Sequence, residues 1–141
     1  MGVSTNSLLN KLTKGKNINT VLDKHETDFY ECTIAEYLMK LCEERNTVPE
    51  RVINKAQIER TYGHQIFNGT RTPSRDKLLQ IAFGFGLSLD ETQRLLNVAG
   101  KSALYPKIKR DAIIIYAISH EMGVMEVQDV LCANELPMLG A

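Results

Sequence analysis

Arg60, Thr61, His64 and Gln65 have the types and spacing to read the edges of base pairs. On a helix over 60–67 they share one face, while Tyr62, Gly63 and Ile66 face the interior. An arginine can donate two bonds to guanine and a glutamine can engage adenine in the same two-point manner, each worth about 1–3 kcal/mol of discrimination. A threonine can meet a thymine methyl or a phosphate. A helix lying in the major groove needs such a polar face above an anchored apolar one. Other chemistries find no comparable set. Gly84-x-Gly86 lacks the third glycine and the preceding strand of a nucleotide loop, so it reads as a helix end. His120-Glu121 lacks the second histidine of a zinc protease motif, because Val124 stands in its place. Cys32, Cys42 and Cys132 are widely spaced and form no C-x-x-C pair, which predicts reduced, mostly packing thiols with neither disulfide nor metal. No catalytic constellation, cofactor site or metal site is expected, and the chain is not read as an enzyme.

Positioning that face requires helices, and the chain marks their starts. Thr33-Ile34-Ala35-Glu36, Thr47-Val48-Pro49-Glu50 and Ser88-Leu89-Asp90-Glu91 all match the S/T-x-x-E capping box, predicting an all-α domain. The spacing predicts a first helix over 34–45 with Ile34, Leu38, Leu41 and Cys42 inward, and a short second from Pro49 to Gln57 on Val52, Ile53 and Ala56. The third, over 60–67, ends at Asn68-Gly69. A fourth is capped by Ser74 and stopped by Gly86, and a fifth runs from Ser88 to about Gly100. Beyond Tyr105-Pro106, residues 107–122 read as a sixth helix, although Ile113-Ile114-Ile115 could equally be a buried strand; 124–135 reads as a last helix. Leu8, Leu9, Leu12, Val21 and Leu22 suggest two short amphipathic pieces before residue 33.

The order of these elements, together with Arg60-Thr61-Tyr62-Gly63-His64-Gln65-Ile66-Phe67-Asn68-Gly69-Thr70-Arg71-Thr72-Pro73-Ser74, Leu78-Leu79-x-Ile81-Ala82 and Leu87-Ser88-Leu89-Asp90-Glu91, resembles the Xre/Cro-type, lambda-repressor-like helix-turn-helix family. The resemblance covers residues 34–98 and implies a five-helix DNA-binding domain that regulates transcription. It also implies phosphate contacts from Asn68, Thr70, Arg71, Arg75 and Lys77, where the family's loop and fourth helix follow the DNA backbone. Two positions depart from the family. Pro49 replaces the glutamine that opens its second helix, and Ile53 and Gln57 stand where it has a small alanine and a turn glycine.

The expected organisation is a partly ordered N-terminal extension (1–32), the helix-turn-helix domain (33–100) and a C-terminal helical segment (101–141). Lys plus Arg and Asp plus Glu are each 17, giving zero formal charge, but residues 47–104 carry 8 basic against 5 acidic side chains between two acidic flanks. A basic centre suits double-stranded DNA as partner. The apolar run Ala112–Ile118 is far too short to span a bilayer and no leader pattern opens the chain, which predicts a cytoplasmic protein without membrane contact. That run is wider than one helix face, making helices 107–135 a candidate homodimer surface or, equally, a helix sandwiched within the monomer. The competing functional reading is an adaptor or antitoxin-like protein that keeps the fold and binds a protein partner instead.

Overall fold

Two of the three expected capping boxes close. The Thr33 hydroxyl accepts from the Glu36 amide at 3.2 Å while the Glu36 carboxylate accepts from the Thr33 amide at 3.1 Å. Ser88 and Glu91 repeat this at 3.2 and 2.9 Å. The computed structural model describes residues 5–24 and 32–140, and every regular element in them is helical. Residues 1–4 and 25–31 of the expected N-terminal extension lie outside the described residues, as does Ala141. Among the described residues no helix is long and apolar enough to cross a membrane.

The chain divides into two units, Met1–Cys32 and Thr33–Ala141. In the first, α1 (Thr5–Lys14) and α2 (Ile18–Lys24) meet at Gly15, whose amide donates to the Lys11 carbonyl at 2.8 Å. Leu9, Leu12, Ile18 and Leu22 remain exposed in this unit.

In the second unit, α3 (Ile34–Glu44), α4 (Pro49–Lys55), α5 (Arg60–Asn68), α6 (Arg75–Phe85) and α7 (Leu89–Val98) match the expected order closely. Leu38, Val52, Ile66, Leu78, Leu79, Ile81, Leu95 and Leu96 form their shared interior. The third box does not form. Val48 is the N-cap of α4 and no side chain caps it, since Pro49 shifts the helix start by one residue and leaves Glu50 too early to reach back. Glu59 supplies an unexpected cap instead, its carboxylate accepting from the Tyr62 amide at 2.7 Å at the start of α5. That amide bond holds the Glu59 carboxyl below its usual range.

Small residues let α4 sit close to its neighbours. A Cβ added to Gly63 would meet Ile53 Cγ2 at 2.6 Å, so the bulk of Ile53 is accommodated by the glycine facing it. The turn from α4 to α5 passes through Gln57 in the left-handed region, at φ +58°. A side chain there is strained, so Gln57→Gly should raise stability by about 0.5–1 kcal/mol, seen as a higher urea midpoint; an unchanged or lower midpoint would remove the strain argument.

Residues beyond the fifth helix pack into the same unit as α8 (Lys109–Ser119) and α9 (Val124–Ala133). The isoleucine run is helical, and α8 is shorter than the 107–122 expected because Pro106 to Ile108 form a turn before it. Ile114, Ala117 and Ile118 are buried, Ala112, Ile113 and Ile115 are half-buried and Tyr116 is exposed, so the run is covered on one side and open on the other.

Arg75 to Tyr105 and Arg110 to Gly140 form a helical-hairpin repeat offset by thirty-five residues. Gln93 brackets Leu104, donating to its carbonyl at 2.9 Å and accepting from its amide at 2.7 Å; Gln128 does the same to Leu139 at 2.9 and 2.7 Å. Arg75 Nε holds the Ser102 carbonyl at 2.9 Å, and Arg110 Nε holds the Pro137 carbonyl at 2.9 Å. The hairpins then exchange partners. Arg75 makes a two-point pair with Asp111 at 3.1 and 3.0 Å, and Arg110 makes one with Asp76 at 2.9 and 3.0 Å. The Tyr105 amide donates to Asp111 and the Gly140 amide to Asp76, both at 3.0 Å. Such reciprocity is the mark of a two-fold arrangement, here within one chain. Burial pushes the Asp76 carboxyl up, but Arg110, the Gly140 amide and Arg75 outweigh it and hold it below its usual value.

Candidate nucleic-acid interface

α5 has one locked face and one open face. Gly63, Ile66 and Phe67 are buried, and the helix ends at Gly69, whose φ of +86° closes it with a left-handed cap. Arg60 and Thr61 are exposed, while His64 and Gln65 are half-buried, so the four expected base readers lie together along the open face.

Two of these four share one carboxylate. Glu50, on the first turn of α4, accepts from Arg60 Nε at 2.8 Å through one oxygen and bonds His64 Nε2 through the other. The His64 bond and then the Arg60 bond hold the Glu50 carboxyl below its usual range. Because Nε is the atom engaged, both terminal amino groups of Arg60 stay clear of any hydrogen bond among the described residues. Those are the groups a guanidinium uses end-on toward guanine O6 and N7. Glu50 was not among the expected site residues. Its role depends on a contact between two helices, and the only local signal was a carboxylate in the first turn.

The flank of the open face is cationic. Arg71 stacks its guanidinium 4.5 Å from the centre of the Tyr62 ring, and Lys77 Nζ lies 5.4 Å from the same centre. Arg71 Nε also donates to Gln65 Oε1 at 3.1 Å, which fixes the amide of Gln65 with its nitrogen free to donate. Asn68 Oδ1 accepts from the Thr70 amide at 2.9 Å, shaping the exposed loop. Arg75 does not belong here. Its guanidinium is taken up by Ser102, Ala103 and Asp111, with the side chain only 23% exposed, so it is removed from the phosphate-contact set. Asp76, the next residue, is held by Arg110.

The cysteines are expected to be mostly packing thiols, and Cys42 is the one that is buried; Cys32 and Cys132 are exposed. Burial pushes the Cys42 thiol up, which keeps it protonated and unreactive.

Comparison with protein-family models, with curated proteins and with solved structures finds no match for this chain.

Proposed function

We propose that the chain is a sequence-specific DNA-binding regulator of the lambda-repressor-like kind, with α4 and α5 as its helix-turn-helix and α5 as the reading helix in the major groove. One observation carries this reading: Arg60, Thr61, His64 and Gln65 line the open face of a helix whose other face is locked in the core. In this reading Arg60 addresses guanine, Gln65 addresses adenine, and Arg71 and Lys77 meet phosphates beside them. Asn68 and Thr70 offer polar groups to the same backbone. The Glu50 carboxylate pairs with Arg60 until DNA arrives, leaving Arg71 and Lys77 as the cations that meet the phosphates.

Selection of bound duplexes from a random pool tests this. The wild-type chain should recover a defined motif, with affinity falling steeply as salt rises. Arg60→Ala should weaken specific binding by about 1–3 kcal/mol and relax preference at one position. No enrichment at low salt would overturn the reading and point to a protein partner.

A further inference from the structure

The repeat exposes a difference between its two halves. In the first hairpin the outer face of α6 is covered by α4. Gln80 Nε2 donates to the Ala56 carbonyl at 3.2 Å, and a Cβ on Gly84 would stand 2.6 Å from the Val52 carbonyl oxygen. The corresponding positions on α8, thirty-five residues on, are Ile115 for Gln80, Tyr116 for Ile81 and Ser119 for Gly84. Within this unit Ile115 is only half-buried, and Tyr116 and Ser119 are exposed. Ile81 is 0% exposed whereas Tyr116 is 58% exposed, and Gly84 is buried whereas Ser119 is open. Ile108, Ala112, Ile115, Tyr116 and Ser119 therefore form a stripe at helical spacing on a surface whose counterpart accepts a crossing helix.

We propose that this stripe binds a second copy of the same chain, α8 against α8, about a two-fold axis passing between Ile115 and Tyr116. Charge and shape both select this occupant. Lys109 lies at the start of α8 and Glu121 just past its end, both exposed, so antiparallel pairing about that axis sets Lys109 of one copy opposite Met122 and within one residue of Glu121 of the other, at both ends. The same register places small Ala112 opposite small Ser119, letting the two backbones approach with Tyr116 packed at the centre. Tyr116 is already ordered for the purpose, its ring stacked on His120 at 3.8 Å between centres. A contact of this kind is self-complementary, as a two-fold interface requires.

The test reads mass and needs no DNA, so it stands or falls apart from the proposed function. Sedimentation equilibrium of the full chain should show a species of twice 15.9 kDa that dissociates on dilution. Tyr116→Glu should raise the dimer dissociation constant by roughly tenfold or more, with helicity unchanged because the side chain is exposed. Lys109→Glu should weaken the dimer at low salt, and Lys109→Glu with Glu121→Lys should restore it. If Tyr116→Glu fails to fold, the paired charge reversal still tests the contact. A single 15.9 kDa species at every concentration overturns the proposal, as does a dimer indifferent to these substitutions.

Discussion

Asp111→Ala should lower the unfolding free energy by about 3–5 kcal/mol, the cost of removing one partner from a buried ion pair. The side chain is 4% exposed and faces a guanidinium that is itself 23% exposed, so water cannot replace the lost carboxylate. Arg75 would keep its carbonyl partners but lose its counter-charge, and the Tyr105 amide would lose its acceptor. Urea unfolding at neutral pH gives the value directly. Asp76→Ala removes the equivalent carboxylate from the other crossing and should cost less, because that side chain is 27% exposed. A loss for Asp111→Ala below about 1 kcal/mol, the range of surface pairs, would show that the crossing contributes little to stability.

Gly84→Ala should destabilise the chain by about 2 kcal/mol, against the sign of helix propensity. In an open helix this change would stabilise by about 1 kcal/mol, so the crossing with α4 must oppose it by about 3. The obstacle is rigid: the new methyl would meet the Val52 carbonyl oxygen at 2.6 Å and Ala56 Cβ at 3.1 Å, and backbone cannot rotate away as a side-chain tip can. Ser119→Ala at the equivalent place in the second hairpin is the internal control. Because Ser119 is exposed, that change should be within about 0.5 kcal/mol of neutral. Thermal or urea melts of the two variants side by side decide the matter. A stabilised Gly84→Ala chain would mean that α4 and α6 can separate without penalty.

What could be read from the sequence was what is encoded locally. Thr33 with Glu36, Ser88 with Glu91, and the left-handed glycines at 69 and 86 act within a few residues of themselves, so helix boundaries from 34 to 98 were legible. Thr47 misled because a box pattern does not reveal where a proline starts the helix. The open face of α5 was legible from its periodicity, but Glu50 was not, since the bonds to Arg60 and His64 join residues ten and fourteen apart across a turn. Arg75 was misassigned for the same reason. A cation beside a reading helix looks like a phosphate contact until its distant carboxylate is in view. The repeat is faint in the sequence because few identities carry it, among them the Arg-Asp pair, the glutamate at Glu91 and Glu126, and the glutamine at Gln93 and Gln128. The helical signals differ between copies: Gly86 and Gly100 are matched by Glu121 and Glu135, all four with positive φ.

The crossed Arg–Asp pairs also bear on how the chain can be dissected. A cut near residue 100, where the sequence suggests that a reading domain ends, would free a fragment with Arg75 stranded beside its own helix start and Asp76 without a counter-ion. Each hairpin carries half of the other's fastening, so neither is a module that can be lifted out, exchanged or lost by truncation at no cost to its sibling. Substitutions at one crossing therefore constrain what the other half of the chain can tolerate, and the second hairpin belongs to the same scaffold as α4, α5 and α6.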